Sequence, residues 1–567
     1  MRAWSYRITG SAWLALVACG ARSGVEFAHV ADAQGGSSAS AGHGGTVLAA
    51  GGASAGAGGS GHAGSGASTA SGGASTACPG SLSACGSACR DLSSDPEACG
   101  SCSTGCGSNE TCERGACVCG QPRLVRVNPA NAESSAPSLA PAVASFSCAP
   151  SSRIERSAAM SLSGEFAARL NAAFPTPLDP KSVELAPAPP DPKRKQPYFP
   201  GELVTGRLGA SLGGPFLWQY RAATRRQSST NFVDTGQALG AATHAVLGDL
   251  DHDGDLDVVT WAYGQAAQVW ANDGHGTFSQ QATIEAMAQV LEFEPVLADF
   301  DGDGDLDLAA SKVFLNQGSF QFTESEALAT PRLALDIDGD GDWDLIESVT
   351  QQTTAVLKND GHGRFTPAQM LQTSLTDVRA GDLDNDGDLD LVAITSLAKQ
   401  QASVWLNDGS GNFEPMNTEL MVDASRGLNL GDVDGDGELD VFIASWGAAG
   451  ARNPPDQVWL NDGSAHFTPG DAPLTGSVQV VLADLDGDGD LDAVAGQHVP
   501  YSSEKGQPSR LLLNDGRGHF SPGGELGGSN FQRVVLGDLD GDGDLDAVVA
   551  QWDWTQKPPV QVWLQSG

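Results

Sequence analysis

A nine-residue acidic phrase, D-x-D-x-D-G-[DE]-x-D, recurs seven times in the second half of this chain and constrains its fold more than any other feature. The copies begin at Asp249, Asp299, Asp336, Asp382, Asp432, Asp484 and Asp538, at intervals of 50, 37, 46, 50, 52 and 54 residues. Such periods mark solenoids and propellers, whose units bury their apolar faces only against neighbouring copies. Most copies share one internal order. An apolar β run enters, as in Ala245-Val-Leu247, and the acidic phrase follows. A second run leaves it, as in Leu391-Val-Ala-Ile394 or Ala547-Val-Val-Ala550. A third ends in Asn-Asp-Gly, as in Val404-Trp-Leu-Asn407-Asp-Gly409, and a phenylalanine (Phe278, Phe365, Phe413, Phe467 or Phe520) opens a fourth. Asn-Asp-Gly accepts positive φ and suits a tight hairpin. Four antiparallel strands per repeat make one propeller blade. The second copy is shorter, with Asn316-Gln-Gly318 at the turn. The last copy stops at Val562-Trp-Leu564, before a fourth strand, while Thr230-Asn-Phe232-Val233 ahead of the first copy reads as a fourth strand without its blade. That early strand is predicted to complete the last blade, so that the ring leaves no sheet edge open.

The acidic phrase reads as a metal loop. Aspartates at positions 1, 3, 5 and 9, with glycine at 6, gather four carboxylates, and position 7 adds its backbone carbonyl. This hard, all-oxygen set is the kind Ca²⁺ takes at about 2.3–2.6 Å. With no Cys or His at a ligand position, zinc, copper and iron fit poorly, and Mg²⁺ prefers a smaller octahedral shell that keeps its water. The expected sites are Asp249, Asp251, Asp253, Asp255 and Asp257; Asp299, Asp301, Asp303, Asp305 and Asp307; Asp336, Asp338, Asp340, Asp342 and Asp344; and Asp382, Asp384, Asp386, Asp388 and Asp390. The remaining three are Asp432, Asp434, Asp436, Glu438 and Asp440; Asp484, Asp486, Asp488, Asp490 and Asp492; and Asp538, Asp540, Asp542, Asp544 and Asp546. Only Glu438 varies position 7. An EF-hand would need flanking helices and Glu at position 12, which Glu347 alone supplies. Against 31 Lys and Arg stand 70 Asp and Glu, a net charge of −39. Such acidity disfavours nucleic acid and anionic membrane as partners, and seven Ca²⁺ would add fourteen positive charges. Metal binding is then part of the folding energy, with an affinity on the order of 10⁻⁴–10⁻³ M for an extracellular module.

The repeat region, residues 227–567, resembles the FG-GAP/VCBS repeat family, whose integrin α-type members form seven-bladed propellers with such loops. The resemblance implies that the calcium loops are mostly structural and that partners bind a face of the ring.

The rest of the chain is modular. Arg2 and Arg7 precede a short apolar run, Ala12 to Ala18, too short to span a bilayer and suited to a secretory signal over 1–18. Leu16-Val17-Ala18-Cys19 resembles a bacterial lipobox, which implies lipidation of Cys19; Gly20 after it, by the same resemblance, favours the outer membrane, with secretion as the alternative. Residues 19–77 read as a tether; of these, 33–77 are almost wholly Gly, Ser and Ala, can form no core and as a flexible coil reach roughly 35–40 Å. Nine cysteines crowd 78–120: Cys78, Cys85, Cys89, Cys99, Cys102, Cys106, Cys112, Cys117 and Cys119, with Cys148 a tenth further on. With almost no large apolar residues between them, disulfides are expected to hold this module, their pairing left open. Its spacing resembles Stig1-like cysteine-rich modules. Residues 121–226 alternate short apolar stretches with Pro/Ser/Ala turns, at Leu124–Val127, Val143–Phe146, Leu203–Leu208 and Phe216–Tyr220. That is a sandwich pattern, and it resembles SbsA-type bacterial Ig-like domains. The fold class expected is therefore all-β: a seven-bladed propeller preceded by an Ig-like β-sandwich and a small disulfide-rich module.

Chemistry for catalysis is sparse. Gly209-Ala-Ser211-Leu-Gly213 matches a nucleophile elbow by letter, but Gly214-Pro215 and another strand follow where a helix is needed. The ten histidines form no HExxH. The expectation is a monomeric, cell-surface adhesion or recognition protein, not an enzyme, touching membrane only through its lipid and binding an extracellular protein or polysaccharide. The alternatives are a polysaccharide lyase or hydrolase and a structural coat component.

Overall fold

The computed structural model describes residues 198–566, apart from short stretches such as 209–215, 447–454 and 498–506, and the backbone of ten short strands between Ser83 and Leu185. Cys19, the tether, the cysteine side chains and Ser211 lie outside the described residues.

From residue 232 onward the chain forms seven four-stranded antiparallel sheets, the blades of an all-β propeller. Blade 1 runs His244–Gly248, Asp257–Trp261, Ala267–Asn272 and Phe278–Ile284. Blades 2 to 6 begin at Val296, Pro331, Leu375, Ser425 and Ser477 and end at Ala327, Leu371, Leu420, Pro469 and Leu526. Blade 7 contributes Phe531–Gly537, Asp546–Trp552 and Pro559–Gln565, and its fourth strand is Phe232–Ala241 from before blade 1. Phe232 faces Gln565 and Asp234 faces Trp563 in this closing pair. The ring thus seals as the sequence predicts, and blade 2, despite its shorter copy, is complete.

Burial follows the place of each strand. Second strands are apolar on both faces, and Asp257–Trp261, Asp390–Thr395 and Asp492–Gln497 are buried throughout. Fourth strands, outermost, keep an apolar residue at each end and expose the middle, as in Phe278–Ile284 and Phe365–Leu371. The core is seven interfaces rather than one centre. Leu250, Val259 and Phe314 join blades 1 and 2; Phe300 and Phe365 join 2 and 3; Val392, Val404 and Ile443 join 4 and 5. Leu239, Val258 and Val548 close blade 7 on blade 1. Each fully buried side chain of this size contributes about 1.5–3 kcal/mol.

Upstream, Leu203–Leu208 pairs with Phe216–Arg221 on one side and Met160–Gly164 on the other. This hairpin packs on the ring. Leu217 joins the blade 3–4 core beside Leu335 and Leu375, and Phe199 packs into the blade 7–1 core. Among the described residues no helix is long and apolar enough to cross a membrane.

Candidate functional site: seven acidic loops and the belt that joins them

Every blade turns from its first to its second strand through one acidic phrase, and the loop's backbone explains its letters. Glycine at position 6 lies at φ between 91° and 102° in all seven loops, where a side chain would be strained. In blade 2 the N–H groups of Gly302 and Gly304 donate to the two oxygens of Asp299 at 2.8 and 3.1 Å, and the N–H of Asp305 donates to Asp303 at 2.9 Å. Such short-range turns fold the loop over its own carboxylates.

The structure brings three of the four expected carboxylates together in each of five loops. Carboxylate oxygens lie within 4.8 Å of one another for Asp249, Asp251 and Asp257; Asp336, Asp338 and Asp344; Asp382, Asp384 and Asp390; and Asp432, Asp434 and Asp440. Positions 1, 3 and 9 meet in these loops, whereas in blade 2 the set is Asp299, Asp301 and Asp303, positions 1, 3 and 5. Position 7 points elsewhere. A Cβ on Gly274, Gly361, Gly409 or Gly516, the turn glycine after the third strand, would strike the carboxylate of Asp255, Asp342, Asp388 or Asp490. In these blades the position 7 side chain rests on its own blade's hairpin turn.

Position 9 has a second task. In every loop its Oδ2 accepts the N–H of the position 2 residue, from Leu250 to Asp257 at 2.9 Å through Leu539 to Asp546 at 2.8 Å. Its Oδ1 accepts the N–H of the residue ending the third strand, at 2.7–3.0 Å. Burial nevertheless pushes these carboxyls up, to about 8 for Asp257, Asp307, Asp390, Asp440 and Asp546 and about 7 for Asp344 and Asp492, neighbouring aspartates adding to the shift. Two backbone donors do not make up for lost water.

The residue ending each third strand is the one that sequence reasoning assigned only to a turn. Asn272, Asn316, Asn359, Asn407, Asn461 and Asn514, and Gln565 in blade 7, reach across to the preceding blade. Their amide N–H groups donate to the position 2 carbonyls of Leu539, Leu250, Phe300, Ile337, Leu383, Val433 and Leu485 at 2.7–2.9 Å. The signal was present: asparagine holds this offset in six copies, the degenerate second one included.

Residues before the ring also touch the loops. Arg207 donates to the carbonyl of Asp336 at 3.0 Å, Thr224 to the Asp484 carboxylate at 3.0 Å, and Arg225 lies 3.4 and 3.6 Å from Asp542 and Asp544. Lys358 reaches Asp338 at 2.9 Å, and His252 reaches Asp305 of the next blade at 3.1 Å.

The donor set suits a hard divalent cation. It is oxygen throughout, and the buried Asp301 Oδ1 and Asp338 Oδ1 have no hydrogen-bond partner. A buried acceptor left in that state costs free energy that a cation would recover.

The FG-GAP-like repeat family matches residues 249–310, 336–393, 382–443 and 432–495. The chain therefore carries FG-GAP-like repeats on a seven-bladed β-propeller. None of the curated proteins matches it. Among solved structures, the chain is similar to crystal structures of BBS1N in complex with ARL6DN, one soaked with mercury and one with lead. They cover 60% of this chain and 98% of their own, at 9% and 12% identity and TM-scores of 0.40 and 0.38.

Proposed function

We propose that the protein is a calcium-loaded recognition module held at a bacterial cell surface, and that it is not an enzyme. The observation that carries this reading is the sevenfold loop, in which carboxylates held by their own backbone converge in an all-oxygen set. Asp249, Asp251, Asp253 and Asp257 and their counterparts in the other blades would hold the ions, with the position 7 carbonyl. Bound calcium would neutralise carboxylates that repel one another and keep them ionised despite burial. Cys19 would carry the lipid, residues 19–77 the reach, and one face of the ring an extracellular protein or polysaccharide.

Thermal melting of the purified protein in 5 mM calcium and in excess EGTA tests the metal. Seven linked sites are expected to raise Tm by at least about 10 °C; equal melting temperatures would rule calcium out. Capture of surface glycans or proteins with and without chelator tests recognition. Loss of capture on calcium removal supports the reading, and failure to capture in calcium counts against it.

A further inference from the structure

We infer that the seven loops do not bind metal independently: the belt of Asn272, Asn316, Asn359, Asn407, Asn461, Asn514 and Gln565 couples each loop to the next around the ring. The inference rests on the calcium reading and adds to it a role for residues that touch no ion.

The connection is continuous in atoms. In blade 3 the position 9 carboxylate of Asp344 holds the N–H of Ile337 at 3.0 Å. The carbonyl of Ile337 accepts the side-chain amide of Asn407, in blade 4, at 2.9 Å. The main-chain N–H of Asn407 donates to Asp390, the position 9 carboxylate of blade 4, at 2.9 Å, and Asp390 holds the N–H of Leu383 at 3.0 Å. Leu383 then presents its carbonyl to Asn461 of blade 5 at 2.9 Å. Seven such steps return to the start, because Gln565 bonds Leu485 and Asn272 bonds Leu539. In four blades a turn N–H, such as Gly363 to Phe300 at 2.7 Å or Ala465 to Leu383 at 3.0 Å, reinforces the same carbonyl.

All seven belt side chains are buried, at 0–7% exposure, so water cannot readily replace a lost partner. The position 2 residue lies between the ligands at loop positions 1 and 3. An ion there fixes that peptide and hence the carbonyl offered to the next blade. In an empty loop the crowded carboxylates push apart, the carbonyl shifts, and the neighbour's asparagine loses an acceptor in a dry interface. Occupying one loop therefore pre-orders the position 9 ligand of the next, which is positive cooperativity. A belt that only glued blades together would lower stability without moving the affinity of a neighbouring site.

Blade 3 offers a local reporter. Trp343 occupies loop position 8, where the other six loops carry leucine. The experiment titrates the full-length chain with terbium and follows luminescence sensitised by Trp343, taken as the signal lost in a Trp343→Leu variant. Asp384→Asn, a ligand change in blade 4, is expected to weaken terbium uptake at blade 3 by about three- to tenfold. In an Asn407→Leu background the same change is expected to have no further effect, and Asn407→Gln, the residue type that makes this bond in blade 7, is expected to restore it. An unchanged blade 3 titration with Asp384→Asn overturns the coupling; equal shifts in both backgrounds overturn the belt as its route. If Asn407→Leu does not fold, Asp384→Asn alone still decides whether the loops are coupled. Absence of terbium uptake by the unaltered protein would instead sink the calcium reading, and the inference with it.

Discussion

Asp390 shows why one residue type recurs at loop position 9. It is buried at 1% exposure, its oxygens hold the N–H groups of Leu383 and Asn407, and it lies among the oxygens of Asp382 and Asp384. Only a carboxylate accepts two divergent N–H bonds and still offers lone pairs to a cation. Asp390→Ala would leave two buried donors without partners, each costing about 1–3 kcal/mol. Urea denaturation in calcium is expected to show a loss of at least about 2 kcal/mol. Asp388→Ala, which removes a side chain resting on the Gly409 turn, is expected to cost about 1 kcal/mol. The position 9 carboxyls also set the pH response. Their pKa values in the metal-free fold, at about 7 to 8, lie above the ordinary carboxylate value. Protonation therefore favours the fold: this contribution is full below about pH 4 and lost as pH rises through 7 to 8. His244, whose pKa burial pushes well down, opposes it on the acid side. In chelator, melting is expected to be higher at pH 5 than at pH 8. In calcium, which needs ionised carboxylates, the order is expected to reverse. Parallel profiles in both buffers would contradict the carboxyl assignment.

At the scale of elements, the hairpin Leu203–Leu208 and Phe216–Arg221 does more than precede the ring. Leu217, 5% exposed, packs with Leu335, Ile337 and Leu375, while Arg207 and Thr224 reach loop aspartates in blades 3 and 6. Its sequence reads as a strand pair and nothing in it announces the docking, because a short apolar stretch looks the same whatever it covers. Leu217→Ala would leave a cavity at the seam of blades 3 and 4. A cost of about 2–5 kcal/mol is expected, together with faster proteolysis between residues 208 and 230. A variant as stable and as protease-resistant as the parent would mean that the hairpin is not seated.

For the whole molecule the decisive element is the strand that travels farthest. Phe232–Ala241 pairs with Pro559–Gln565, completes the seventh four-stranded sheet and so joins the two ends of the ring. Deleting residues 229–241 would leave Pro559–Gln565 as an open edge and strip Leu239 from the blade 7–1 core. Open edges recruit other chains, so self-association in sedimentation and a broadened melt are expected; a monomer with unchanged melting would contradict closure by this strand. The number of blades, their four-strand order, the closing strand and the acidic loops are legible in the letters alone, because each repeat encodes its own turns and its own apolar alternation at short range. It took the assembled ring to reveal that the asparagine before Asp-Gly bonds across blades, that the position 7 side chain rests on the hairpin turn in blades 1, 3, 4 and 6, and that the upstream hairpin sits on the ring. Those contacts join residues tens to hundreds of positions apart, and local sequence carries no record of which distant carbonyl or core will meet a given side chain.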